Sequence, residues 1–590
     1  DIGASAVAGS SSIVTTGALD SGSITSGFGN INNGTSTLTT GNTDINGTVA
    51  ISGDTTLEDG ADLITATAGT SNVRIGVNAG NSIASGGNYN TVIGDEAGTA
   101  LTTGDNNVAI GFEALSTEDA NGLNVAVGFR SLKTLNAGAD GENTAVGNNT
   151  GTAMTTAVYN VVVGSQAGDA LTDGSSNTAI GMNALTADTR GQNSVAIGRN
   201  ALLTQNFTSS TDSYNVAIGR DAGKAITTGI QNTLLGGLAG DALTDADDNV
   251  AVGMVALSSD TQGSKSTAIG KAALSTQNFS SATDSYNTAV GYHAGTAVTT
   301  GVGNTLIGGL AGDALTIGVA NVAVGQGALG SDDVGSGNVA IGYLSLTAQN
   351  STGGSVNYMR NTAVGDYTGF AVTEGFYNTF LGARAGEDVT TGDENLFLGY
   401  RTGEYSTGTT TGNANVLVGP YCHTASSSTE TAFGLGYNVN ATAGYFTIGN
   451  STSDIRQAHG NTTWSTVSDE RYKKDIVDST AGLSFINDLK PRTFKYKTLG
   501  ELPNTFDAYK ADSVEVFKNT NTNHGFIAQE VKTAIDAHSE IKDGFSLWDD
   551  REDGSQEVAE AALIPVLVKA MQELSAKNDA LEARIKTLEG

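Results

Sequence analysis

Few residues in this 590-residue chain have the type and spacing that chemistry needs. The five histidines, His293, His423, His459, His524 and His538, are scattered and lack the short pair spacing of a metal site. Acidic turns such as Asp241 to Asp248 lack the fixed oxygen-ligand spacing of a calcium loop. Every glycine is explained by turns, so no phosphate loop stands out, and no metal or cofactor is expected. Cys422 is the single cysteine and excludes an intrachain disulfide framework. Two near-copies 72 residues apart, Thr204-Gln205-Asn206-Phe207 to Tyr214 and Thr276-Gln277-Asn278-Phe279 to Tyr286, set aromatics beside amides and hydroxyls. Phe207, Tyr214, Phe279 and Tyr286 are therefore possible glycan contacts. The competing reading is that the rings cover an open edge of the fold. Ser468 and Lys473 combine a hydroxyl nucleophile with a potential base, but five-residue spacing alone reads as an exposed polar turn.

The elements that position these residues follow from composition. Gly numbers 79 and Pro only 4, charged residues are 15% of the chain, and the net charge is −32. No run approaches the ~18 apolar residues of a membrane span, and no Lys/Arg cluster invites nucleic acid. The chain is read as soluble, without a membrane or nucleic-acid partner. It opens on Asp1 and is read as a fragment or processed product. Residues 1–464 hold 73 of the glycines but are only 11% charged, whereas residues 465–590 hold 6 glycines and are 31% charged. The domain reading is a Ser/Thr/Gly-rich β shaft or linker over 1–71, a repeat rod over 72–449, a linker over 450–467 and a compact domain over 468–590.

The rod repeats Asn, three small or aliphatic residues, then Gly, as in Asn107-Val108-Ala109-Ile110-Gly111 and Asn321-Val322-Ala323-Val324-Gly325. The marker glycine returns every 17 residues from Gly76 to Gly419, with a longer step every fourth time. Two rungs continuing Ala-Gly (Ala222-Gly223) alternate with two continuing Ala-Leu (Ala256-Leu257), which gives five four-rung blocks and 20 rungs. Three residues between Asn and Gly are too few for a helix, and β-branched types dominate them, so each unit is a strand. At ~4.8 Å per rung, 20 rungs make a rod of roughly 100 Å. The expected fold is mainly β: a parallel β-solenoid or β-roll rod with a second short strand in each rung, as in Ala167 to Thr172. Both strand faces are apolar, and a strand apolar on both faces is usually buried on both. The central Ala is expected to face outward, against the same surface of two further chains in a homotrimer, the alternative being a monomeric solenoid with an Ala-rich outer face.

The Asn-Ser-Val-Ala-Ile-Gly run at 193–198 resembles the head repeats of trimeric autotransporter adhesins, and the resemblance implies a trimeric β-roll. A second resemblance is carried by Ser468-Asp-Glu-Arg-Tyr-Lys-Lys-Asp-Ile476, by Leu489-Lys490-Pro491 with Phe494-Lys495-Tyr496, by His524-Gly-Phe-Ile-Ala-Gln-Glu-Val531 and by Leu563-Ile-Pro-Val-Leu-Val-Lys-Ala570. In that order they resemble the intramolecular chaperone auto-processing domain that ends endosialidase tailspikes and many phage tail fibres. The family usually has Leu where this chain has Tyr472. The resemblance implies a trimeric folding clamp that cuts itself free beside Ser468 and Asp469, with Ser468 as nucleophile and Lys473 as base. Leu567, Met571, Leu574, Asn578, Leu581, Ile585 and Leu588 then form a heptad seam on a helix over 556–589, the pattern of a coiled coil.

The expected function is a structural and adhesive phage tail fibre. Its partners would be two further copies of the chain, other virion tail proteins at the N-terminus and a host cell-surface glycan or protein receptor. Its location would be the virion, and extracellular after release. The only enzymatic activity expected is single-turnover self-cleavage. The rivals are a bacterial trimeric surface adhesin and a polysaccharide-degrading tailspike; the latter needs paired carboxylates in a cleft.

Overall fold

A computed structural model describes residues 68–351, 355–404, 410–451 and 453–590. The expected N-terminal shaft or linker over 1–71 lies almost wholly outside the described residues. Two compact units are present among the described residues, one ending at residue 413 and the other beginning at residue 414.

The first unit is a β-solenoid of nineteen three-residue strands, from Val73–Ile75 to Leu396–Leu398. Neighbouring strands pair in parallel and in register, as Val108 with Val125 and Ile110 with Val127. The second unit opens with three more parallel rungs, Val416–Val418, Phe433–Tyr437 and Tyr445–Asn450. The last two of these lack the Asn that marks the repeat, Ala432 and Tyr445 standing in its place, so the period does not reveal them.

Each part of the repeat has a mechanical role. Asn304 is buried; its Oδ1 accepts from the Asn321 N–H at 3.0 Å and its Nδ2 donates to the Gly318 carbonyl at 2.8 Å. The side chain thereby clamps its rung to the next, and the same bonds recur at Asn90 with Asn107 and Gly104. The marker glycine turns the chain out of the strand. At Gly270 φ is +134°, and a Cβ there would lie 2.2 Å from the Gly291 carbonyl oxygen, so neither conformation nor space admits another residue.

The interior is filled by volume exchange between the two halves of a rung. Where the turn half carries a buried Leu, as at Leu115, Leu185 and Leu257, the strand's central residue is Ala109, Ala179 or Ala251. Where the strand carries Leu234, Leu306 or Phe380, the turn has Gly240, Gly312 or Gly386, whose Cβ would collide with that side chain at 2.8 Å. Close packing of this kind leaves no slack for a methylene.

Three expectations are corrected here. The central Ala points inward, as the full burial of Ala109, Ala196 and Ala323 shows, because the turn half of the rung reaches across and leaves room only for a methyl. The outward residues are those on either side of it, so an apolar ribbon including Leu235 (45% exposed), Ile307 and Leu381 runs along the strands. The second half of most rungs, Ala167 to Thr172 included, is a chain of turns, where left-handed residues such as Glu113 (φ 56°) and Leu115 (φ 49°) break any extended run; a few rungs do carry a second strand of two residues, as Gly191–Gln192 pairs in parallel with Thr211–Asp212. Finally, 450–467 is no linker, because Ser453–Ala458 pairs antiparallel with Tyr445–Asn450 and with Ser465–Thr466.

The C-terminal part has an ordinary core. Helix α1 (Leu483–Asp488), helix α2 (Ala528–Ala537) and the start of helix α3 (Leu563–Glu589) bury Phe485, Leu489, Val531, Ile535, Leu547, Leu563 and Val566 together. Glu573 of α3 reaches the N-terminus of α1, accepting from the Leu483 N–H at 2.8 Å, where the helix dipole favours a carboxylate. The helix starts at 563 and not at 556, because Gln556–Val558 is a strand paired with Trp548–Asp550. Pro565 sits in its first turn, where no N–H partner is lost.

Candidate functional site

The strand Ser465–Thr466 delivers the chain to Ser468, and a single 3-10 turn, Glu470–Tyr472, folds it back. Asp469 caps that turn: its Oδ1 accepts from the Arg471 N–H at 2.8 Å, and its carboxylate also takes the Arg471 guanidinium, with Nη2 to Oδ2 at 2.6 Å. The guanidinium holds the Asp469 carboxyl below its ordinary range. The Lys473 N–H closes the turn on the Glu470 carbonyl at 2.9 Å. In consequence the Lys473 ammonium donates to Ser468 Oγ at 2.7 Å. The two residues that sequence spacing alone could not join are thus in contact.

Both members of the pair are exposed, and so are Val467 (51%), Tyr472 (78%), Ile476 (62%) and Val477 (86%). A lysine serves as base only where burial or a second cation disfavours its charged form. The pair in a single chain has the geometry for proton transfer but is open to water.

The polar side chains around it hold the fold together. Arg492, on the strand Arg492–Phe494, makes a two-pronged pair with Glu530 of α2, at 2.9 and 2.6 Å, the favoured geometry for guanidinium and carboxylate. His538 is buried at the end of α2 and faces a carboxylate at each ring nitrogen, Asp488 at 2.8 Å and Glu540 at 3.1 Å. The hydrogen bond it donates to Asp488, ahead of the one to Glu540, raises its pKa above the ordinary histidine value. In the sequence His538 is only one scattered histidine, because Asp488 lies 50 residues away.

In the rod, Phe207 and Phe279 are corrected as glycan contacts. Each is 5% exposed and covers Gly191 or Gly263, with a ring carbon 2.9 or 2.7 Å from where a Cβ would stand. Tyr214 (54%) and Tyr286 (60%) remain at the surface, Tyr286 beneath the Lys265 ammonium. Beside the two phenylalanines lies a buried network that the sequence did not reveal. Asp188 accepts from Gln205 Nε2 at 2.6 Å and from the Gly191 N–H at 2.9 Å, while Gln205 also donates to Ser194 and accepts from Asn215. Asp260 and Gln277 repeat it with Ser266 and Asn287. Ser194 and Ser266 occupy the ladder position of Asn, so the loop glutamine supplies the amide that the ladder lacks. Burial pushes the Asp188 carboxyl up against these hydrogen bonds. The acidic turn at 241–248 has similar work, as Asp247 accepts from the Ile230 N–H at 2.8 Å.

Residues 468–539 match the family model described as chaperone of endosialidase. The match begins at Ser468 itself and ends one residue past His538, taking in α1 and α2 but not α3. No curated protein matches the chain. A β-solenoid rod carrying an endosialidase-type chaperone domain fits a structural protein of the tail-fibre or tailspike kind.

Proposed function

We propose that the chain is a phage tail fibre, a homotrimeric rod for attachment to a host surface, whose C-terminal chaperone releases itself at Ser468. The observation that carries this reading is the 2.7 Å contact between Lys473 Nζ and Ser468 Oγ at the first residue of the matched segment. Attack by Ser468 Oγ on the Val467 carbonyl closes a five-membered ring, whereas attack on its own carbonyl would close a strained four-membered one. The cut therefore falls between Val467 and Ser468. Lys473 takes the hydroxyl proton, the oxygen bonds to the Val467 carbonyl carbon, and the Ser468 nitrogen leaves with a proton; water then hydrolyses the ester.

Exposure of the pair supplies the timing. Two neighbouring chains that cover Ser468 and Lys473 would desolvate the ammonium and make it a base. The trimer reading is supported by two apolar surfaces that a lone chain leaves in water. One is the outward ribbon of the rod, and the other is the seam of Leu567, Met571, Leu574, Leu581 and Ile585, 43 to 71% exposed. Expressed protein is expected to run as two pieces, with the smaller beginning at Ser468 by N-terminal sequencing. Ser468→Ala and Lys473→Met are expected to stay whole. A wild-type trimer that remains uncut would sink the dyad, and a monomer at micromolar concentration would sink the fibre.

A further inference from the structure

Along one edge of the rod, just after the marker glycines, exposed rings stand beside cations. Phe112 and Phe129 stack on successive rungs at 5.5 Å and are 41 and 40% exposed, with the Arg130 guanidinium 4.8 Å from the Phe129 ring centre. Next to them a groove of about 530 Å³ is lined by Arg130, Lys133, Asn149, Thr152 and Asp169. The groove is shallow and open, a surface along which a polymer could lie and not an enclosed small-ligand site.

The groove offers hydrogen bonds in both directions. Arg130 Nε and Lys133 Nζ both hold Glu113 Oε2 at 2.7 Å, which leaves further N–H groups of each facing water. The Asn149 carboxamide makes no hydrogen bond among the described residues. Asp169 accepts from Thr186 through Oδ1 at 2.6 Å and keeps Oδ2 without a donor among the described residues. The two cations are balanced by Glu113 and Asp169, so the groove is neutral in a chain of charge −32.

We infer that this groove is a subsite for a neutral polysaccharide. A sugar ring presents an apolar face, which suits the exposed phenyls, and hydroxyls that both donate and accept, which suit Arg130, Asn149 and Asp169. A polyanion would meet Asp169 and Glu113, and a polycation Arg130 and Lys133. The same edge repeats the pairing at Tyr292 with Lys271 (5.7 Å) and at Tyr367 with Arg384 (5.3 Å). A polymer can engage several such points at once, raising avidity beyond any one contact. The inference rests on the adhesive reading above and names its ligand class.

The test is retention of the purified full chain on immobilised neutral oligosaccharides (gluco-, galacto- and manno-oligomers) and on a polyuronate. At least one neutral glycan is expected to retain the wild type. Phe129→Ala and Asn149→Ala are each expected to weaken retention at least about tenfold, and Phe129→Tyr to keep it, with melting and sedimentation unchanged. Retention on the polyuronate alone, on no glycan, or equally by all variants overturns the subsite. So does a change of sedimentation in the variants, which would make this edge a contact between copies. Adsorption to host cells separates the two readings: if Phe129→Ala adsorbs like the wild type, attachment stands and this subsite falls. If retention depends on Phe129 but no cell adsorbs the fibre, the subsite stands and the fibre reading falls.

Discussion

The rod and the C-terminal part solve the same burial problem with opposite means. In the rod, each rung buries a large side chain such as Leu115 or Phe380 against an Ala or Gly of its other half, and hydrogen bonds repeated rung by rung join it to its neighbours. In the C-terminal part, a few large side chains around Phe485 carry the core, and contacts such as Leu483 with Glu573 span 90 residues. A repeat array needs each rung to match only its neighbours, so its rules are local and strict. A globular core tolerates local variety but depends on distant pairs.

Breaking one rung is the harshest test of that contrast. Gly270→Ala forces a Cβ toward the Gly291 carbonyl at a φ of +134°, and a cost of at least ~3 kcal/mol is expected. Limited proteolysis should then open the rod near residues 270–291 while the C-terminal part stays resistant. Phe485→Ala reverses the comparison. Its buried ring is worth about 3 to 5 kcal/mol, and loss should appear as a separate, lowered unfolding transition of the C-terminal part with the rod transition in place.

The smallest effect sharpens the comparison through pH. The His538 pKa is raised in the fold, so its contribution is fully present below the unfolded value of about 6.5 and is lost as pH rises through the folded value. The C-terminal transition should therefore fall by a few degrees on going from pH 6 to pH 9. The rod transition should not follow it, since no histidine among the rod's described residues is paired with two carboxylates in this way. His538→Gln should flatten the slope; a slope that survives would assign the effect elsewhere.

Much of the rod was readable in one dimension. The 17-residue step, the strand at Val-Ala-Ile and the turn at the glycine need only nearest-neighbour geometry, which a period records. Phe207 and Phe279 were not readable, because whether a ring lies on Gly191 or in water depends on how a loop folds over the rung beneath. The same holds for Asp188 with Gln205: each residue looks like a surface polar group until the ladder position opposite is seen to be Ser194. The direction of the central Ala is hidden for a related reason, since strand alternation gives two faces but not which one the turn half covers.

Sequence alone determined the repeat, the four-rung blocks, the compositional break near residue 464 and the motifs that begin at Ser468, because each is a matter of order along the chain. Tertiary structure decided which face of the strand is inside, which aromatics are spent on packing, how His538 finds Asp488 and that Lys473 Nζ meets Ser468 Oγ. Those are distances through space, set by a turn or by a rung above or below, and spacing along the chain does not encode them.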